Sequence, residues 1–306
     1  MDIKNLLYKG LGFENRKMVA LEKKIKEYYS DETNINGCEN EYHFLLKNPF
    51  NTRKNKCFVF HSEFVNNYCI DDVVVFYDKT YKMYYVIHNN IKMYMKKSFS
   101  KKQAKEYYLS LLIEQDEKSP HLYLDDELKN KKYRTVIDVG AAEGLFAIDI
   151  MDKAEHIILF EYDDEWIDAL NKTFLEYNEK VDIRKAFVTD EDNQMKTTLD
   201  IQINSKCVDL LKMDVEGTEI NVVKGARKLL HSNPQIICLI CVYHRSDDEA
   251  EIKKLLPGYS FETRNGKMVF PERYSFKREG FKIISPKKQM VGPYFTNGVM
   301  KVFYEK

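Results

Sequence analysis

This 306-residue sequence has no surplus of either charge: Lys and Arg number 48, and so do Asp and Glu. A balanced chain offers no broad cationic field for nucleic acid, nor for an anionic membrane surface. Basic runs are local, such as "KKSFSKKQAK" at 96–105, and fit a solvated face. Long apolar stretches are also missing. None approaches the ~18 residues of a membrane span. The start, "MDIKNLLYKG", lacks the apolar region of a signal peptide. The cysteines at 38, 57, 69, 207, 238 and 241 give no disulfide framework. Only Cys238 and Cys241 form C-x-x-C, inside the apolar run "IICLICVY". Residues three apart on a strand face opposite sides, so a core strand is expected there rather than a redox pair. Repeats and low-complexity segments are absent. A cytoplasmic, reducing setting is the expectation.

What is present divides near residue 118. The first part, 1–118, reads as an α+β extension. Met18, Leu21, Ile25 and Tyr28 fall at helical spacing. "VVVFY", "YKMYYVIH" and "IKMYMKK" read as a three-strand meander, with turn signals "DKT" and "NN" between them. "KKQAKEYYLSLLIEQD" reads as a helix with Tyr108, Leu111 and Leu112 on one face. Aromatics on half-buried strands are more often packing than a binding surface.

From Tyr133 strands and helices alternate. "RTVIDV", "HIILFE", "VDIRKAFV", "VDLLKMDV" and "QIICLICV" are the strands, and most are followed by amphipathic helices. This pattern predicts an α/β domain over 119–306, a doubly wound, mostly parallel sheet with helices on both faces. One helix is expected over 217–230. Ser246 and Glu249 suggest a capping box. "YSFETRNGKMVF" reads as a hairpin with an Asn-Gly turn, and "NGVMKVFY" as a final strand.

The chemistry gathers at the strand ends. In an open α/β sheet, ligands bind at the carboxyl ends of the strands. "TVIDVGAAEGLFAID" puts Asp138 at such an end, before a turn with Gly140 and Gly144. The glycines allow a tight turn, and the helix after it offers free N–H groups. Asp138 adds a negative charge suited to an ammonium or a hydroxyl. Glu161 ends the next strand, about 20 residues on, where an acid can hold ribose hydroxyls. A ribose with an amino-acid tail is S-adenosylmethionine. A dinucleotide enzyme, the alternative, prefers G-x-G-x-x-G, whereas this turn is G-x-x-x-G. A non-catalytic binding protein is a further alternative.

Methyl transfer to a hydroxyl also needs a proton acceptor. Asp214 and Glu216 follow the fourth strand and His244 the fifth, so all three can face one cleft and serve as catalytic groups. Two carboxylates and a histidine also suit a divalent metal, which is possible but not favoured. The structural readings stay open: Asp214 as a cap for the helix at 217–230, and His244 as a buried, hydrogen-bonded histidine. "SPHLY" at 119–123 could close on the cofactor through His121 and Tyr123, or be a plain linker.

"VIDVGAAEG", "LFEYDDEWIDAL", "LLKMDVEGTEINVVKGA" and "CVYHRSDDEAEI" together resemble the FkbM family of methyltransferases. "LLIEQDEKSPHLY" is similar to one bacterial branch of it, and the resemblance covers about residues 106–303. "KMDVEGTE" is its most specific block. The resemblance implies a seven-stranded sheet of the class I methyltransferase type and S-adenosylmethionine-dependent O-methylation. The acceptor it implies is a small molecule or glycan, a sugar or glycan precursor foremost. It places cofactor binding at Asp138, Gly140, Ala141, Gly144, Glu161 and Tyr162. Asp190, in "FVTDED", matches an acid near the adenine, though a solvated turn acid is the equal alternative. Ala142 departs from the general methyltransferase motif, where a second glycine is common.

Overall fold

The computed structural model describes residues 13–50, 57–203, 207–270, 277–279, 282–285 and 292–304. The amphipathic N-terminal stretch is helix α1 (Phe13–Tyr28). It buries Leu21 and Ile25 in a small cluster with Leu45 of α2 (Glu39–Lys47) and Phe295. The meander follows as strands β1 (Phe76–Asp78), β2 (Met83–His88) and β3 (Ile91–Tyr94), all antiparallel. Asn89 and Asn90 both adopt positive φ, 45° and 65°, which a two-residue hairpin turn demands.

Helix α3 (Lys101–Glu114) starts at a capping box of Ser100 and Gln103. Its buried row is Ala104, Tyr107 and Leu111, while Tyr108 and Leu112 are half-buried. The expected face is therefore rotated by about one residue. A short helix α4 (Asp126–Asn130) then leads into the sheet.

The sheet domain runs β4 (Tyr133–Val139), α5 (Leu145–Asp149), β5 (Ala154–Glu161), α6 (Asp164–Thr173) and β6 (Val181–Lys185). A small pair, β7 (Phe187–Val188) and β8 (Lys196–Thr197), and helix α7 (Leu199–Gln202) carry the chain back. Then come β9 (Val208–Met213), α8 (Glu219–Lys224), α9 (Arg227–Ser232), β10 (Ile237–Cys241) and α10 (Asp248–Leu255). The last strands are β11 (Ser260–Thr263), the antiparallel pair β12 (Lys277–Glu279) and β13 (Lys282–Ser285), and β14 (Val299–Phe303). The seven-stranded sheet has the order β11-β14-β10-β9-β4-β5-β6. Only β14 runs against the others. The chain winds outward from β4 through β5 to β6, then outward from β9 on the other side. The topological switch point thus lies between β4 and β9.

Each central strand feeds two cores. Val136, Leu159 and Cys241 face a cluster with Phe146, Trp166 and Tyr107. Ile137, Phe160 and Cys238 face one with Val222, Leu230 and Ile252. The C-x-x-C is therefore split between opposite faces, as the strand period requires. Burial pushes both thiols up, Cys241 well above the usual value, so they stay protonated.

Three local expectations fail. Ser260–Thr263 does not fold back on residues 267–270; it pairs with β14. The Asn265-Gly266 bend instead carries the chain to Met268, which bridges Phe60 and Thr296. The segment 217–230 is two helices. A Cβ on Gly225 would lie 2.1 Å from the Thr189 carbonyl oxygen, a close approach that only glycine permits at the break. Ser246 caps nothing. The buried Asp248 carboxylate takes the Arg245 N–H at 2.6 Å, and Glu249 turns to Lys253 and Asn297.

The extension is bound to the sheet domain by polar latches and by the first core. Tyr94 N–H donates to Thr173 Oγ1 at 3.0 Å, and Lys96 pairs with Asp163 at 2.9 Å. Ser98 donates to Glu165 through backbone and hydroxyl. Met83, Val86 and Tyr107 share their cluster with Val136 and Leu159, so apolar packing is continuous across residue 118. Among the described residues, no helix is long and apolar enough to cross a membrane.

Candidate active site

At the switch point β4 and β9 come into close contact. A Cβ on Gly140 (φ 81°) would lie 2.0 Å from the Asp214 carbonyl oxygen. The first glycine is therefore required by strand-to-strand contact, with Asp214 N–H donating back to Val139 O at 3.0 Å. Gly144 (φ 85°) faces Leu170 and Phe174 of the α6 region, where a side chain would clash. Ala142 takes φ 47°, the left-handed region that costs a non-glycine residue roughly 1–2 kcal/mol. This is the position where related motifs carry glycine.

Above this turn opens a cavity of about 560 Å³, within the usual range for a small-molecule site. Gly140, Ala142, Glu161, Tyr162, Asp214 and Glu216 form one side. Val59, Phe60, Lys96 and Glu114 from the extension, with Met268, form another. His121 and Tyr243 also reach it.

Glu161 sits where expected, at the end of β5. Its Oε2 accepts the Ala142 N–H at 2.9 Å. Its Oε1 accepts those of Tyr162 and Asp163 at 2.6 and 2.8 Å. Burial lifts its pKa above the ordinary value while the backbone donors pull the other way. A carboxylate has about four acceptor sites, so one remains for a ligand hydroxyl.

Asp138 is not where a ligand can touch it. It is fully buried beneath the turn, and Lys212 Nζ stands 2.9 Å from its Oδ1. Lys212 also donates to Gly140 O at 2.8 Å and lies over the Tyr123 ring. Burial opposes the lysine charge, but Asp138 and Asp214 hold its pKa above the usual value. The acid expected to meet an ammonium thus meets one inside the protein. Ala141 and Gly144 shape the turn but do not line the cavity. Asp190 also stays outside: its Oδ1 accepts Asn221 Nδ2 at 2.8 Å and the Thr189 hydroxyl at 3.1 Å.

Asp214 faces the cavity and does not cap a helix; α8 begins after Thr218, whose side chain makes no cap bond. Tyr123 Oη donates to Asp214 Oδ2 at 2.8 Å, and Tyr243 Oη to Oδ1 at 3.2 Å. Burial first, then the Asp214 charge, pushes both phenols well above their usual pKa, so they remain donors. Tyr123 therefore supports Asp214 instead of lining the cavity. Glu216 lines it from a left-handed residue, φ 58°.

His244 is corrected as a base. It does not line the cavity. Its Nδ1 lies 2.8 Å from Glu219 Oε1 and its Nε2 3.5 Å from Asp214 Oδ1. Burial would lower its pKa, but Glu219, Glu216 and Asp214 raise it to about 10. The surrounding carboxylates favour the protonated imidazolium, which suits a charge partner better than a base. Glu219, fully buried, escaped the sequence reading. An acid on the apolar face of "EINVV" is the signal that could have found it.

Among the described residues, two side-chain groups have metal-ligand types within reach, His121–Asp214–Cys241 and Asp214–Glu219–His244. In the second, both histidine nitrogens already face carboxylates.

The model of the Methyltransferase FkbM domain matches residues 89–266, more than half of the chain. The chain belongs to this family. The domain it carries is a methyltransferase domain, built on a seven-stranded, mostly parallel α/β sheet. The family generally uses S-adenosylmethionine. Among solved structures, FkbM from Methylobacillus flagellatus KT is 15% identical with a TM-score of 0.44, covering 66% of this chain and 54% of that one. Precorrin-6y C5,15-methyltransferase from Geobacter metallireducens GS-15 is 11% identical with a TM-score of 0.38, covering 60% and 91%. A ribosomal protein L11 methylase from Lactobacillus delbrueckii subsp. bulgaricus is 16% identical with a TM-score of 0.34, covering 56% and 69%. Comparison with curated proteins gives no match.

Proposed function

We propose that this FkbM methyltransferase binds S-adenosylmethionine above the Gly140 turn and methylates a hydroxyl on a sugar or glycan precursor. The observation that carries this reading is the Asp214 carboxylate, set at the switch point beside the glycine turn and open to the cavity that Glu161 lines. The cavity suits the cofactor: Glu161 keeps an acceptor site for a ribose hydroxyl, and Phe187 and Val188 offer an apolar wall for a base. S-adenosylmethionine, when bound, supplies a methyl group on a sulfonium.

The chain's own residues supply the rest. Glu161 and Tyr162 hold the ribose. Val59, Phe60 and Met268 exclude water from the acceptor side. Asp214 Oδ2 or Oδ1 takes the hydroxyl proton, held in place by Tyr123 and Tyr243. Glu216 is the second carboxylate within the same cavity. Buried His244 lies 3.5 Å from Asp214 Oδ1 and supports that carboxylate from below. This step invokes no metal. The sugar class is supported by the bacterial branch that "LLIEQDEKSPHLY" resembles.

The decisive measurement is mass spectrometry of glycans incubated with the protein and isotopically labelled cofactor. A labelled O-methyl on a sugar supports the reading. Label only on nitrogen, carbon or a non-glycan acceptor refutes it.

A further inference from the structure

One chain of hydrogen bonds leads from the extension to Asp214, and its direction can be deduced. It starts at Gln115, the C-cap residue just after α3. Gln115 Oε1 lies 3.0 Å from Tyr123 N, which can only donate. Gln115 Nε2 lies 3.2 Å from the His121 carbonyl oxygen, which can only accept. The amide is therefore fixed and cannot be flipped. Its Nε2 also lies 3.4 Å from His121 Nδ1, so that ring nitrogen is an acceptor and carries no proton. The other nitrogen, Nε2, must then carry it. It lies 2.9 Å from Tyr243 Oη, against 3.8 and 3.9 Å to Cys241 Sγ and Asp214 Oδ2. With its oxygen accepting from His121, the Tyr243 hydroxyl directs its own proton to Asp214 Oδ1.

We propose that Gln115, His121 and Tyr243 are positioning residues: Gln115 sets the His121 tautomer, and the tautomer turns the Tyr243 hydroxyl toward Asp214. This gives the "EQDEKSPHLY" block a physical task. The chain rests on the reading of Asp214 as the base only for its catalytic meaning. The directions of its hydrogen bonds stand by themselves.

Gln115→Glu inverts the logic with a side chain of the same size, although it sets a carboxylate oxygen against the His121 carbonyl oxygen. A carboxylate at this position can only accept, so His121 must protonate Nδ1. Its Nε2 then either accepts from Tyr243, drawing the hydroxyl away from Asp214, or is protonated as well. Tyr243→Phe leaves the His121 tautomer alone and removes the donor.

The test is nitrogen NMR of the full chain with labelled histidine, with His121 assigned by loss of its signals in His121→Gln. In the wild type at pH 7, His121 should be neutral with the proton on Nε2. In Gln115→Glu, Nδ1 should gain a proton. Carbon NMR of labelled aspartate should show the Asp214 carboxyl titrating about one pH unit or more higher in Tyr243→Phe, and displaced by a similar amount in Gln115→Glu, upward where His121 stays neutral and downward where it becomes an imidazolium beside Asp214. A purely structural role would not move the Asp214 titration in Tyr243→Phe. A wild-type His121 protonated on Nδ1, or an Asp214 titration unchanged in both variants, overturns the proposal. Neither readout needs a cofactor or an acceptor. It therefore fails or holds separately from the functional reading, which binding of S-adenosylhomocysteine to the same samples checks.

Discussion

Lys212 Nζ lies 2.9 Å from Asp138 Oδ1; the aspartate is fully buried and the lysine nearly so. Removing one partner of a buried ion pair strands the other, at a cost of about 3–5 kcal/mol. Asp138→Ala should lose roughly that much in denaturant unfolding. The pair replaced together, Asp138→Leu with Lys212→Met, should recover most of it. If the single substitution leaves the unfolding midpoint unchanged and weakens only cofactor binding, Asp138 is a ligand contact after all.

Glu161 binds three backbone N–H groups and has one acceptor site left. Glu161→Gln keeps the shape but loses the charge. A hydrogen bond to a charged group contributes about 1.5–3 kcal/mol, so S-adenosylhomocysteine should bind roughly 10–100 times more weakly by calorimetry. Wild-type affinity in a folded variant would put the ribose elsewhere. Asp190→Ala, outside the cavity, should bind as the wild type does. NAD should show no comparable affinity for either protein.

Asp214→Asn should fold, bind S-adenosylhomocysteine and transfer methyl 10²–10⁴ times more slowly, the usual effect of losing a general base. Chelation with EDTA should leave the wild-type rate unchanged. A rate lost with EDTA and restored by a divalent ion would replace the protein base with a metal-activated hydroxyl.

His244 gives a pH signature. Its folded pKa, raised to about 10, exceeds the unfolded value near 6.5. Its contribution is complete below the unfolded pKa, because both states then bind the proton. It falls as pH rises from about 6.5 and is gone above about 10. Unfolding free energy should therefore decline across that window in the wild type. In His244→Gln the part of that decline between about pH 6.5 and 8.5, below the range in which the buried Cys238 and Cys241 thiols contribute their own fall, should be largely absent. A histidine that titrates near 6.5 in the folded protein would contradict this, and would restore it as a candidate base.

The sheet was legible because the strand runs, the glycine turn and the acids at strand ends obey short-range rules. Glu161 and Asp214 fell in the cavity for that reason. Asp138 did not, although the clue was in "LLKMDV": a lysine inside an apolar strand needs a buried anion, and β9 lies beside β4. His244 could not be read from its own segment. Its protonation depends on Glu219, Glu216 and Asp214, which topology alone brings around it. Asn265-Gly266 looked like a hairpin because turn chemistry is local. The choice of strand partner is not, and β14, some 35 residues further on, took that edge.

The apolar packing that continues across residue 118 gives the enzyme a property beyond architecture. Tyr107 of α3 packs on Trp166 of α6 with ring centroids 5.2 Å apart, and its hydroxyl bonds to Glu143 in the glycine turn. Roof and floor of the cavity therefore belong to a single melting unit. A polypeptide begun at residue 119 would expose Trp166 and leave the turn unsupported. It would fail as an expression product before it could be assayed as a minimal enzyme. Heat, proteases and substitutions at the packed residues of the extension, such as Met83, Val86 and Tyr107, should register as lost cofactor affinity, however far from the ligand they strike.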